Sequence, residues 1–220
     1  MIPLIIVWLI KYWKRVRSVS QTTAFRKTIH IIFALAMLPK FISAQEKILR
    51  YNILHNGDIK GTMTIRHQVS ENRIHLKIES EVKTRFLIRV TVQSIEEAIF
   101  ENGILIYSSL CRIVNGEEKI NQQMLWSGVA YKLNAKNKII AVPAYPIRYS
   151  MLSLYYQEPV NVTKIYSDNF QQYVDVKKIN QNTYQLSLPN GNVNYYHYMN
   201  GTCVRVDVNQ FYNLQFQLIP

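Results

Sequence analysis

Asparagine-glycine pairs set the tightest limit on the fold of this 220-residue chain. Five of its seven glycines directly follow an asparagine, namely Gly57, Gly103, Gly116, Gly191 and Gly201. Asn-Gly suits the two-residue type I′ turn, because both central residues of that turn need positive φ. The runs between these pairs alternate apolar and polar residues and are rich in Val, Ile, Tyr and Thr, which is typical of half-buried antiparallel strands. The sequence therefore predicts a series of β-hairpins.

Each turn also predicts which side chains share a face, because a two-residue turn fixes the register of both strands. The last Asn-Gly turn pairs His197 with Val204, and the one before it pairs Leu188 with Val193. The turns at Gly103 and Gly116 share a strand. The inward positions that follow are Val193, Tyr195, His197, Val204, Val206 and Val208 for the last hairpin and Leu105, Tyr107 and Cys111 for the shared strand.

The first Asn-Gly pair does not fit a two-residue turn, because that register sets Arg50 against Met63. A three-residue loop that includes Asp58 instead pairs Tyr51 with Met63. Such a loop keeps apolar side chains on one face of both strands.

Ten or eleven strands in up-and-down order are too many for a flat open sheet, since such sheets curl or close. The sequence therefore predicts an all-β domain at 45–220, built as a strongly curved antiparallel sheet or an incomplete up-and-down barrel. The segment Pro143–Pro159 breaks the alternation, and Ile147, Met151 and Leu154 within it have helical spacing. A short helix is expected near 147–156, either plugging the open end of the sheet or packing into its core.

The N-terminal 44 residues have the composition of a targeting region. They contain seven of the 26 Lys and Arg residues and no Asp or Glu. Residues 26–44 match a signal peptide, with a basic start, an apolar stretch and a small residue before the expected cut. An uncleaved anchor or a buried N-terminal helix is the alternative. Residues 1–25 form an extension of undefined status. Beyond residue 44 the basic residues are scattered, so a nucleic-acid surface is not expected.

Motifs for catalysis or metal binding are missing from the sequence. It has no CxxC, HExxH, nucleophile elbow or phosphate loop, so neither a cofactor nor a metal is predicted. The predicted register places Cys111 and Cys203 on opposite faces, which argues against a disulfide. Glu79 and Glu81 share a face but are flanked on it by Lys77 and Lys83, as expected of surface ion pairs. We expect no enzymatic activity.

Polar residues on the predicted inner face are the remaining candidates for function. Buried polar groups need partners, and in an apolar cavity a few such groups orient a mostly apolar ligand. A hydrogen bond within the core, such as one from Ser109 to Glu96, is the alternative. The candidate cavity residues are Met63, His67, Glu96, Trp126, Tyr195 and His197.

Three stretches resemble a family of small exported proteins of Bacteroidota that is a domain of unknown function. They are YNILHNGDIKGTMTI (51–65), SMLSLYYQEP (150–159) and YYHYMNG (195–201). The resemblance covers about residues 47–215, with the GTM hairpin and the LYYQEP-type segment as its most specific parts. It implies a periplasmic or secreted antiparallel β domain, related to half-barrel lipoprotein carriers and lipocalin-like binders, and it carries no catalytic residues.

Three hypotheses follow for function. The first is an exported cell-envelope protein that holds an apolar or amphiphilic ligand, such as a lipid, or a lipidated partner in a concave sheet, and that meets the membrane only through its signal peptide. The second is an envelope interaction module with a filled core. The third is a glycan-directed hydrolase, ranked last because Glu96 has no evident carboxylate partner. A void of at least about 300 Å³ behind Pro143–Pro159 favours the first hypothesis over the second.

Overall fold

Fourteen antiparallel strands form a single sheet in the computed structural model of the chain. The structure describes residues 45–85, 89–135, 138–142, 145–209 and 213–220. The signal peptide at 26–44 and the extension at 1–25 predicted above lie outside these residues. In chain order the strands are β1 (Gln45–His55), β2 (Asp58–Ser70), β3 (Arg73–Arg85), β4 (Arg89–Glu101), β5 (Ile104–Val114), β6 (Glu117–Trp126), β7 (Tyr131–Ala135), β8 (Lys138–Val142), β9 (Lys164–Ser167), β10 (Gln172–Asn180), β11 (Thr183–Ser187), β12 (Val193–Met199), β13 (Thr202–Asn209) and β14 (Leu214–Leu218).

Two meanders make up the sheet. Strands β1 to β8 follow one another in space as they do in the sequence, and so do β9 to β14. The pairing of β1 with β14 joins the two meanders, so β8 and β9 are the edges of the sheet. The up-and-down order predicted from the sequence is confirmed, with fourteen strands rather than ten or eleven.

The sheet curls around the segment that connects its two edges. This segment contains a short 3₁₀ helix, Met151–Tyr155, which contacts β3, β4, β9 and β13. Strands so far apart in the sheet order meet one helix only if the sheet wraps around it. The predicted short helix near 147–156 is therefore present, as a single 3₁₀ turn against the inner face.

Near the end of β9, hydrogen bonds connect the two ends of the curled sheet. Ser108 of β5 donates to the carboxylate of Asp168 at 2.6 Å, and Gln122 of β6 donates to the backbone oxygen of Asp168 at 2.6 Å. The hydroxyl of Tyr131 on β7 accepts from the amide of Ile147 at 2.8 Å and donates to a backbone oxygen of β5 at 2.9 Å. The result is the predicted incomplete barrel, because the far strands approach each other without pairing.

Tyrosine is the characteristic side chain of the interior. Five tyrosines are among the largest fully buried side chains. Their rings fill the core, and the hydroxyls of Tyr51, Tyr131 and Tyr184 donate to oxygens: Tyr51 to the backbone oxygen of Cys203 at 2.7 Å, for example, and Tyr184 to the carboxylate of Glu158 at 2.8 Å. The hydroxyl of Tyr166 has no partner among the described residues. A buried tyrosine hydroxyl favours such a partner, and the bonds of Tyr51 and Tyr131 cross-link strands that do not pair.

Four Asn-Gly turns share one local geometry. At residues 56–57, 102–103, 115–116 and 200–201 both turn residues have positive φ, as a type I′ turn requires. In each hairpin two regular pairs follow the turn, and then one residue of the second strand has no partner. These extra residues are Lys60, Ile106, Lys119 and Val204. Such a bulge increases strand twist and bends the sheet, so the repeated device contributes to its curl.

The bulges make several predicted pairings wrong by one residue. His197 pairs with Arg205 rather than Val204, and Ser108 of β5 points inward where Tyr107 was expected. A one-residue shift moves every later side chain to the other face. The two cysteines exchange faces for this reason: Cys203 is fully buried, and Cys111 pairs with the exposed Ile95. Both are free thiols.

Two further turns differ from the prediction. The first Asn-Gly pair forms a regular two-residue turn, and its bulge produces the predicted pairing of Tyr51 with Met63 without a longer loop. At Gly191, residues Leu188 and Asn192 close the loop through a 2.8 Å backbone hydrogen bond, so Ser187 rather than Leu188 faces Val193.

At Gly61, strands β2 and β3 approach each other closely. A Cβ built on Gly61 would lie 2.0 Å from the backbone oxygen of Glu81 and 2.8 Å from the Cα of Val82. Glycine inside a strand marks a tight bend or close approach of this kind. The GTM segment of the sequence therefore has a steric cause for its glycine.

Helices long and apolar enough to cross a membrane were not found among the described residues.

Candidate ligand cavity

A cavity of about 450 Å³ lies between the inner face of the sheet and the 3₁₀ helix. Met151, Leu152 and Tyr155 of the helix form one wall. Strands β1 to β5 and β12 to β14 supply the others, together with the β9–β10 and β11–β12 turns. Asn169 and Asn190 are exposed lining residues, so these two turns form the mouth.

The walls of the cavity are mostly apolar. Alternate positions of each strand face it, which is the consequence of strand geometry. The apolar lining residues are Ile53, Met63, Ile78, Val82, Val92, Met151, Leu152, Phe170, Leu188, Val208, Leu214 and Phe216. Ligand sites of about 300–1,000 Å³ with such walls and a few convergent polar groups are common in proteins.

Glu96 is the first polar group of the cavity. Its carboxylate accepts from the Ser94 hydroxyl at 3.3 Å and lies 3.8 Å from a guanidinium nitrogen of Arg112. Burial raises the pKa of Glu96, and Arg112 and the Ser94 bond oppose that rise. The side chain is nevertheless 27% exposed. Both observations hold because protein surrounds the carboxylate while part of its surface faces the cavity.

Asp168 is the second carboxylate of the cavity. It lies just after β9 and is only 8% exposed. Its Oδ1 accepts from Ser108, whereas its Oδ2 is buried and has no hydrogen-bond partner within the described part of the chain. Burial raises the pKa of Asp168 to about 7; the Ser108 bond opposes this, and the charge of Glu96 adds to it.

Two tyrosines place hydroxyl groups near these carboxylates. Tyr155 of the helix and Tyr196 of β12 both line the cavity, with ring centroids 5.9 Å apart. Burial raises the pKa of both phenols, and the negative charge of Glu96 contributes to each rise. Both phenols therefore remain neutral and act as hydrogen-bonding groups.

The six residues predicted for the cavity have different locations. Met63 and Glu96 line it. His67 is on the inner face but outside the cavity lining; its ring stacks on Tyr156 with centroids 4.5 Å apart, and burial lowers its pKa. Trp126 packs against Tyr131 at 4.5 Å, also away from the lining.

Tyr195 and His197 lie on the outer face, contrary to the prediction. Their neighbours Asn194 and Tyr196 are the buried cavity residues of β12. His197 instead hydrogen-bonds to Asp207 at 2.7 Å and to Thr183 at 3.2 Å, in a cross-strand polar ladder. The bulge at Val204 and the five-residue loop before β12 account for the reversal.

Sequence reasoning missed Asp168, Arg112, Tyr155 and Tyr196 as cavity residues. Asp168 follows the short strand β9 in a turn, where alternation gives no information. Strict alternation along β5 places Arg112 on the outer face, and only the bulge at Ile106 moves it to the inner face. The signal that existed was the short apolar run Ile165–Tyr166, which is followed two residues later by the acidic Asp168.

Comparison with protein families gives one match over most of the chain. Residues 51–219 match DUF6134, a domain of unknown function. The chain belongs to this family. No curated protein matches it.

Among solved structures, the chain is similar to a beta-barrel-like protein of the DUF1849 domain of unknown function from Brucella abortus. The likeness has a TM-score of 0.52 with 9% sequence identity, and it covers 80% of this chain and 96% of the other. At that identity the likeness concerns the fold alone. It agrees with the incomplete barrel described above.

In the part of the chain that the structure describes, no three His, Cys, Asp or Glu side chains come together as ligands of a metal ion. The cavity itself offers two carboxylates, one guanidinium and several hydroxyl and amide groups within an apolar enclosure.

Proposed function

We propose that this protein is a non-enzymatic, exported cell-envelope protein that binds an amphiphilic ligand, such as a lipid or the lipid chain of a partner, inside its curled sheet. The observation that carries the proposal is the cavity of about 450 Å³, whose walls are mostly apolar and whose lining includes the two carboxylates of Glu96 and Asp168. This volume exceeds the 300 Å³ that distinguishes a binder from a filled core. At about 30 Å³ per water molecule it equals roughly fifteen waters.

The N-terminal sequence supports the proposed export. Residues 26–44 have the three-part pattern of a signal peptide, and the basic excess of the chain is concentrated before residue 45. Mass determination of the mature N-terminus, after fractionation of cells into cytosol, periplasm and medium, tests this part. Unprocessed protein in the cytosol contradicts it.

Binding is tested first with protein purified from its host. Native mass spectrometry is expected to show a bound species that denaturation releases. A fluorescent neutral dye, N-phenyl-1-naphthylamine, then reports on the emptied cavity, and a series of 1-alkanols displaces it. Each added methylene contributes about 0.8 kcal/mol, so affinity rises about four-fold per carbon until the cavity is full.

Paired substitutions locate the binding site. Val92→Phe puts a ring into the cavity, whereas Val129→Phe makes the same change at a residue that is 77% exposed. We expect Val92→Phe to weaken alkanol binding at least ten-fold and Val129→Phe to leave it unchanged. Equal affinities in all three proteins place binding outside the cavity. Absence of any binding returns the chain to the second hypothesis, an interaction module.

A glycan-directed hydrolase, the third hypothesis, gains one supporting observation, because the structure supplies the carboxylate partner that the sequence did not. Glu96 and Asp168 line one cavity, and the charge of Glu96 contributes to the raised pKa of Asp168, as in the acid–base pairs of glycosidases. The apolar lining argues against a sugar substrate. Hydrolysis of envelope glycan by the wild type, lost in both Glu96→Gln and Asp168→Asn, is the result that favours this candidate.

A further inference from the structure

The hydrogen-bond balance of the cavity indicates the chemistry of its occupant. Of the buried side-chain atoms without a partner among the described residues, two belong to cavity-lining residues: Oδ2 of Asp168 and Oδ1 of Asn194. Both residues are more than nine-tenths buried, at 8% and 5% exposure. Both atoms are hydrogen-bond acceptors. A buried acceptor without a partner is unfavourable, so an occupant that donates hydrogen bonds is favoured here.

The charge balance points in the same direction. Arg112 is the basic residue of the cavity lining; it lies 3.8 Å from the Glu96 carboxylate and donates to Asn169 at 3.1 Å. Asp168 has no lysine or arginine nitrogen within 4 Å in the described ranges. When ionised it is therefore a buried negative charge without a counter-charge, which is unfavourable unless a cation binds.

We propose that the occupant is an amphiphile whose head group is a protonated amine, which donates to Asp168 with Asn194 as a second acceptor while the apolar chain fills the rest of the cavity. This inference rests on the proposed binding function and narrows it to one ligand class. A carboxylate or phosphate head group would add a third negative charge beside two carboxylates and one guanidinium. An alcohol would satisfy an acceptor but leave the charge of Asp168 uncompensated.

Binding of an amine depends on pH in a defined direction. The groups that face Asp168 are Glu96 of β4, Ser108 and Arg112 of β5, and Tyr166 of β9. Burial holds the pKa of Asp168 at about 7, so at pH 5 about one molecule in a hundred has this carboxylate ionised, and at pH 8 about nine in ten. An alkylamine stays protonated over this range, as lysine does. Amine affinity is therefore expected to rise up to about a hundred-fold from pH 5 to pH 8.

The experiment compares three probes of one chain length: decylamine, 1-decanol and decanoate, each displacing N-phenyl-1-naphthylamine below its micelle concentration. At pH 8 we expect decylamine to bind the wild type at least ten-fold more tightly than either other probe. Asp168→Asn is expected to remove that advantage, so that decylamine and decanol bind this variant with similar affinities. Asp175→Asn, at a carboxylate that is 74% exposed, is the matched control and is expected to keep the wild-type order.

The wild-type pH profile keeps the test independent of variant folding. Decylamine affinity that is flat or falls from pH 5 to pH 8 overturns the inference, and so does tighter binding of decanoate or decanol at pH 8. If all three probes bind without a preference, the amine inference fails and the binding function stands. If neither the dye nor any probe binds, the proposed function itself fails.

Discussion

Replacing Asp168 by asparagine is expected to stabilise the protein at alkaline pH, although it removes a buried carboxylate that makes a 2.6 Å hydrogen bond. The pKa of Asp168 is raised to about 7 by burial, against 3.8 for an unperturbed aspartate. A folded-state pKa above the unfolded value means that the folded chain binds more protons between these values. Stability from this group therefore falls as pH rises from about 4 to about 7.

The size of the effect follows from the same difference. About 3 pH units at about 1.4 kcal/mol each give roughly 4 kcal/mol of destabilisation in the wild type at pH 8. Asparagine has no charge there. Its NH₂ group lacks an acceptor at the Oδ2 position, but so does the O–H of the protonated carboxyl from which this difference is counted. The expected gain for Asp168→Asn at pH 8 is therefore up to roughly 4 kcal/mol. At pH 4 the carboxyl is neutral in the folded state, so the gain disappears and the two proteins are expected to have similar stabilities.

Urea unfolding at pH 8 and pH 4 measures this loss of the gain. Comparing the variant with the wild type at each pH cancels the other titrating groups, which the two proteins share. Asp175→Asn, on the exposed part of β10, is the control and is expected within about 0.5 kcal/mol of the wild type at both pH values. A variant less stable than the wild type at pH 8 by as much as at pH 4 would show that Asp168 is not held protonated by burial, and the reasoning would be refuted.

Three smaller tests address the fold. Gly61→Ala brings a Cβ to within 2.0 Å of a backbone oxygen and is expected to destabilise by about 1–3 kcal/mol or more in urea unfolding, whereas Ala at the exposed neighbour Thr62 stays within about 0.5 kcal/mol; equal effects would contradict the close approach. Tyr131→Phe leaves a buried amide of the connecting segment without its 2.8 Å acceptor and should lower stability by about 1–3 kcal/mol; no change in thermal or urea unfolding would mean that this bond is not made in solution. Burial raises the pKa of Cys203 to about 12, so in the native protein only Cys111 is expected to react with Ellman's reagent, and both react in denaturant; two rapidly reacting thiols in the native state would disprove the register of β13.

The sequence was sufficient for the architecture because turns and alternation are local properties. Asn-Gly pairs predict hairpins, and a long series of hairpins predicts a curled sheet, which the structure has. The bulges could not be predicted, because the extra residues, Lys60, Ile106, Lys119 and Val204, share no single residue type that marks a bulge. Each bulge reverses the faces beyond it, so the predicted orientation was wrong for β12 and for most of β5.

The cavity residues also fall into those that strand alternation predicts and those that it does not. Glu96 was placed on the inner face from the Gly103 turn, and this was right because the extra residue of that hairpin lies in β5, so β4 alternates without interruption from Phe100 to Glu96. His197 was misplaced because a bulge lies between it and its turn. Asp168 and Tyr155 come from a turn and a connecting segment, where position depends on the closed sheet rather than on any local pattern.

The order of strands has a consequence for how the chain reaches its native state. Apart from the pairing of β1 with β14, every ladder of the sheet joins strands that are consecutive in the sequence. Each meander is therefore rich in local contacts, which form quickly, whereas joining the first strand to the last closes a loop of nearly the whole domain and carries the largest entropic barrier. Until β1 pairs with β14, both meanders present open edges. At high protein concentration, β1 of one molecule can pair with β14 of another instead. Slow refolding and exchanged dimers at high protein concentration are the kinetic signature of this topology.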